Sequence, residues 1–215
     1  MSGEPVVVTR LDELQRFDGH PDTIPVRIPL GISSFGINAY GSREAGGVVI
    51  EEHDELGSGA GGHEELYLVV RGHAVFTIAG EEVDARAGTL VFLADPAIRR
   101  AAVARAADTT VLVVGGVPGQ AFEPSPWEAW LEALPNYESG NYGAALETMR
   151  RAHAAHPDNP NVLYNLACVE SLAGEHDAAL EHLARALELD PRGREWSKGD
   201  PDLDAIRADP RFPGS

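Results

Sequence analysis

Between residues 45 and 117 the chain alternates short apolar-rich runs with glycine-containing turns. The runs are VVIEEH, EELYLVV, AVFTIAG, EEVDA, TLVFLA and TTVLVVGG. Their β-branched and aromatic residues predict strands, and Gly57 to Gly62, Ala79-Gly80-Glu81 and Gly88 predict the turns between them. Many short strands at close intervals predict an all-β barrel or sandwich. Upstream, IPVRIPLGISSFGINAY reads as one or two further strands. Beyond about residue 126 the period becomes helical, with Leu166, Leu172, Leu180, Leu183 and Leu187 forming one apolar stripe. The change near Phe122 to Pro126 predicts two domains, 1–121 and 122–215.

The helical part repeats itself. Ala133, Gly140, Ala145, Leu146, Ala152 and Pro157 return 34 residues later as Ala167, Gly174, Ala179, Leu180, Ala186 and Pro191. A period of this length with small residues at fixed places marks a helix–turn–helix unit. The alanines allow two antiparallel helices to approach closely, and each glycine suits the left-handed turn between them. Residues 160–193 closely resemble the tetratricopeptide (TPR) consensus, and 126–159 match it mainly at the small residues and the proline. The resemblance implies a surface for a protein or peptide partner. Only Asn165 fits a carboxylate-clamp position on the first helices, so that mode of binding is not expected. The tail is expected to cap the second repeat, with a short helix from Pro201 to Ala208 carrying Leu203 and Ile206, and Trp196 and Phe212 flanking it.

Charge narrows the partners. The net charge is −17, and the acidic excess is spread over both halves. Nucleic acids and anionic membranes need a basic face, and the sequence offers none. The single cysteine, Cys168, has no partner for an internal disulfide, which points to a reducing compartment. No apolar run is long enough to span a bilayer, and the N-terminus does not read as a signal peptide. A cytoplasmic location is therefore expected.

Within the β region, Gly47 followed by His53, then Glu65, then Gly72, resembles the first motif of the cupin superfamily. Gly88 to Arg100, GTLVFLADPAIRR, resembles the second. The resemblance implies a double-stranded β-helix of the jelly-roll type, so the whole chain is expected to be multi-domain, β plus α. Metal-binding cupins present two histidines, a glutamate and a further histidine. Here the second histidine position carries Glu55 and the last falls at Arg99, so the usual ligand set is absent.

A different set is conceivable. If GSGAGG is the tip of a hairpin centred near Gly59, His53 opposes Glu65 and Glu55 opposes His63, because opposed residues share a face. Alternation adds Glu51 and Tyr67. Two imidazoles and two carboxylates suit Zn, Mn, Fe or Ni, with His53, Glu55, His63 and Glu65 as ligands. Arg99 would orient an anionic group and Tyr67 would supply a wall and a hydroxyl. The alternative is that these are solvated turn residues, with Arg99 in a structural ion pair to Glu65 or Glu51.

The expected function is binding: the barrel holds a small molecule or a metal, and the helices hold a partner protein. The rival is an enzyme on the same cluster, either metal-dependent and of oxygenase or isomerase type, or a metal-free isomerase with Glu55 or Glu65 as general base. A third possibility is a scaffold with a filled barrel and an internally paired arginine. An outward aliphatic row, Leu66, Leu68 and Val70, needs covering, by a second barrel, by the N-terminal arm or by the helices, and a homodimer is the expected cover.

Overall fold

The computed structural model describes residues 6–57 and 59–213. The chain divides into two compact units, Met1–Glu123 and Pro124–Ser215, one of antiparallel strands and one of helices.

The first unit holds β1 (Asp22–Pro25), α1 (Arg27–Leu30), β2 (Gly36–Ser42), β3 (Val48–His53), β4 (Glu64–Arg71), β5 (His73–Ile78), β6 (Glu81–Arg86), β7 (Leu90–Leu93), β8 (Arg100–Ala104) and β9 (Thr109–Gly116). One sheet runs β1-β2-β9-β4-β7 and the other β3-β8-β5-β6. Period-two alternation sends one side chain in two to the space between the sheets. Tyr67 and Val69 of β4, Ala74 and Phe76 of β5, and Val111 and Val113 of β9 form that core with Val49, Ala102 and Ala104. Gly72 turns β4 into β5 at φ 79°, and a Cβ there would lie 2.6 Å from Thr109 Cα, so only glycine fits this corner.

Two elements differ from the expectation. Strand β8 was not foreseen: RAAVA is alanine-rich, with one β-branched residue and no aromatic one. GSGAGG is not a hairpin tip either. Strand β3 pairs with β8, whereas β4 pairs with β7 and β9, so the glycine-rich segment crosses from one sheet to the other. Strand β3 also carries register shifts. These put both Val49 and Ile50 in the core and leave Glu51 exposed, as a bulge does to strict alternation.

The outer face of the five-stranded sheet is half covered. Leu11, Leu14 and Leu30 pack on Ile24, Ala39, Ile37 and Leu112, while Val70, Leu90 and Phe92 stay exposed.

The second unit holds α2 (Glu128–Glu138), α3 (Tyr142–Ala155), α4 (Pro160–Ala173), α5 (His176–Leu189) and α6 (Gly193–Ser197). Ala133, Ala145, Ala167 and Ala179 are fully buried, at the positions where facing helices come closest. Gly140 and Gly174 adopt φ 73° and 84°, and the Gly174 N–H closes α4 on the carbonyls of Glu170 and Ser171. Asn159 caps the start of α4, its side chain accepting from the N–H groups of Asn161 and Val162. The tail does pack on the second repeat through Leu203, Ile206 and Phe212. It does so as a 3-10 turn, Pro201–Leu203, followed by further turns, rather than as the expected α-helix. Trp196 lies exposed on α6. No helix among the described residues is long and apolar enough to cross a membrane.

Candidate functional site

The charged cluster of the β unit is built around an arginine. Across the β3–β8 ladder His53 is directly opposite Arg100, so the two share a face. That face is the interior: Arg100 is 1% exposed. Its Nε donates to the Tyr67 hydroxyl (3.0 Å), and Nη1 donates to the carbonyls of Ile98 (3.0 Å) and Pro96 (3.4 Å). Nη2 donates to Glu65 Oε2 and lies 3.7 Å from Glu55 Oε1. A guanidinium offers donors only, in a fixed fork, and here every nitrogen of the fork has an acceptor.

The two carboxylates arrive from different places. Glu65 projects from β4 and also accepts from the Tyr67 hydroxyl. Glu55 follows β3, and its Oε2 accepts from the backbone N–H of Gly61 (3.1 Å) and of His63 (3.3 Å). It thereby organises the loop that links the sheets. His53 stands at the edge, its side chain 36% exposed. Its Nδ1 is 2.8 Å from the Glu51 carbonyl, which turns Nε2 toward Glu55 (3.8 Å) and Glu65 (4.0 Å). Burial is the largest influence pushing the Tyr67 hydroxyl far above its ordinary value, with the neighbouring Glu65 charge adding to it. Arg100 is also raised: burial opposes its charge, and the Tyr67 and Glu65 contacts outweigh that.

The structure therefore brings together His53, Glu55, Glu65 and Tyr67, and leaves out three expected members, of which Glu51 is exposed on β3. The imidazole of His63 is buried against the Phe122 ring, 5.5 Å between centroids, and only its backbone touches Glu55. Arg99 points outward, paired with Glu52 (3.1 Å) and Asp54 (3.6 Å), its side chain 58% exposed. The reason is the period of a strand: neighbours face opposite sides, so the inward arginine is Arg100. Nothing in RRAAVA distinguishes the two, since alanines lie on both faces.

His53, Glu55 and Glu65 could each offer a metal ligand, their donor atoms within 4.8 Å of one another. Both carboxylates already face Arg100, which does not deprotonate. Two unit charges 4 Å apart repel by about 4 kcal/mol at an effective dielectric of about 20, and a divalent ion doubles that. The donor set and the resident guanidinium do not fit a divalent ion together.

The helical unit has a second donor group, Cys168, Asp200 and Asp202. Its members are spoken for: Tyr164 donates to Asp200 (2.9 Å), Cys168 Sγ lies 3.6 Å from the same oxygen, and Tyr137 donates to Asp202 (2.9 Å). Burial, with Asp200 and Asp202 beside it, pushes the Cys168 thiol well up. The group ties the tail to α2 and α4.

Residues 136–199 match the tetratricopeptide repeat family model. No curated protein matches the chain. Among solved structures, the chain is similar to a sugar phosphate isomerase of the cupin superfamily from Silicibacter pomeroyi, at 20% identity over 51% of this chain and 74% of that one, with a TM-score of 0.41. It is also similar to a cupin protein from Bacteroides fragilis, at 18% identity over 58% and 92%, TM-score 0.40. A predicted oxalate decarboxylase from Thermotoga maritima is similar at 19% identity over 51% and 97%, TM-score 0.40. The chain thus joins a unit of two antiparallel β-sheets to a helical unit in which residues 136–199 match the tetratricopeptide repeat model.

Proposed function

We propose that the protein binds rather than transforms: the barrel takes a small organic molecule at His53, Glu55 and Glu65, and the helical unit holds a partner protein. The observation that supports this reading is the convergence of the His53, Glu55 and Glu65 donor atoms within 4.8 Å of one another, with Arg100 engaged behind them. Each guanidinium nitrogen faces a protein oxygen and the side chain is 1% exposed, so the cation offers little to an incoming anion, and the groups beside it are carboxylate oxygens and the half-exposed His53 imidazole. Such a surface suits a neutral molecule rich in hydroxyl donors. Tyr67 itself is ill-suited to acid–base exchange near neutral pH, because burial and the neighbouring Glu65 charge hold its proton firmly.

The test is a titration of metal-free protein with a neutral polyol such as glucose, and separately with acetate, following the His53 ring by NMR. The polyol is expected to shift the His53 signals and acetate is not; Glu65→Gln removes the response. Tighter binding of acetate would defeat the reading.

For the helical unit, the support is the repeat match, since stacked helix pairs of this kind present extended surfaces. A photo-crosslinker at position 165 on α4 should capture one defined partner that a crosslinker at position 185 on α5 does not. For the homodimer, the support is the exposed Val70, Leu90 and Phe92. Sedimentation is expected to give a dimer that Phe92→Glu converts to a monomer.

A further inference from the structure

We infer that Arg100 is the built-in cation of the barrel, replacing a bound metal and making the His53–Glu55–Glu65 group metal-independent. The inference deepens the binding reading above and rests on those three residues forming one site.

Three observations carry it. The first is position. Arg100 faces His53 across the ladder and sets Nη2 against both carboxylates, so its charge lies beside all three donors that could hold an ion. The second is burial. At 1% exposure, beside a core that is aliphatic and aromatic apart from the Tyr67 hydroxyl, a charge persists only when it is paired and hydrogen-bonded. The third is connectivity. Its partners come from β4, from the segment after β3, and from the carbonyls of Pro96 and Ile98 before β8. A bound ion ties separate segments to one point, and the guanidinium fork does so here with a covalently attached charge. A covalent cation cannot be lost to a chelator, exchanged for another metal or displaced by a ligand.

The test is metal uptake by chelator-treated protein, with Zn, Mn, Fe and Ni each offered alone and no organic ligand present. Wild type and Arg99→His are expected to take up no stoichiometric metal. Arg100→Gln, which keeps the length and removes the charge, is expected to bind about one equivalent and to gain thermal stability from it, as any native-state ligand confers. Adding His53→Ala should abolish both effects. Should Arg100→Gln fail to fold, Arg100→His is read in its place with the same expectation. Stoichiometric metal in the wild type, lost with His53→Ala, would overturn the inference. So would a folded Arg100 variant that takes up none. The polyol titration is run without metal, so its failure and this one are told apart.

Discussion

Each unit buries a carboxylate against a cation, and the two choices of cation are opposite in character. In the barrel, Glu65 is paired with Arg100, which keeps its charge at any pH the fold survives. In the helical unit, Glu170 of α4 is 1% exposed and sits 2.7 Å from His182 Nδ1 of α5, a partner whose charge comes and goes near neutrality. The first pairing is permanent and the second conditional. A buried carboxylate is tolerated in both, yet only the barrel's is indifferent to its surroundings.

The largest effect is expected where the permanent cation is removed. Arg100→Leu leaves the largely buried Glu65 and Glu55 facing each other's charge, and breaking a buried pair from one side costs about 3–5 kcal/mol. Urea unfolding followed by far-UV circular dichroism should show a loss of that size. Arg99→Leu, one residue away and paired only at the surface, should cost under about 1 kcal/mol. Adding Glu65→Leu to Arg100→Leu should recover a large part of the loss, because a matched apolar pair replaces a stranded charge. If Arg99→Leu proved the costlier of the two, the account of the barrel centre would be wrong.

The helical unit should be hurt most by losing apolar volume instead. Leu183 of α5 is fully buried among Ala167, Leu180, Leu187 and Leu203, where truncation to alanine costs about 3 kcal/mol with the cavity it leaves. All three tryptophans lie in this unit, so their fluorescence reports its unfolding directly. A loss much below that of other buried leucines would mean that the tail, through Leu203, collapses into the gap.

How much of this the sequence revealed depends on the kind of signal. The helical repeat was legible because small residues recur at a fixed spacing and each has one reason to be there: Ala167 and Ala179 for close approach, Gly174 for a positive φ. The strands with β-branched and aromatic runs were legible too. The candidate site was legible only in part. His53, Glu55, Glu65 and Tyr67 do converge, though the hairpin expected to assemble them is absent: they meet across two sheets, a relation that local pattern does not encode. The centre of the cluster was missed altogether, because β8 is an alanine-rich strand whose inward and outward faces look alike. A slip of one residue there exchanges Arg99 for Arg100, and with it a surface ion pair for the charge that organises the core. His182 and Glu170 were also invisible as a pair, being 12 residues apart on different helices.

The conditional pair gives the smallest and most specific prediction. The hydrogen bond to Glu170 is the main influence raising the His182 pKa above its ordinary 6.5, against an opposing effect of burial. Around it stand Glu170 from α4, Glu181 from its own helix, and Arg150 and the ring of His153 from α3, the latter 5.0 Å away between centroids. A group whose pKa is raised on folding stabilises the fold fully below its unfolded value, about 6.5, and that contribution is lost as pH climbs through the folded value. His182→Gln should therefore lower the melting temperature more at pH 5.5 than at pH 8.5, by a few degrees at most. His182→Arg should convert the helical unit's pairing to the barrel's type, with a melting temperature that no longer tracks this titration. A His182→Gln deficit that grew toward high pH would reverse the sign of the linkage and show that the neutral imidazole, rather than the charged one, is what Glu170 requires.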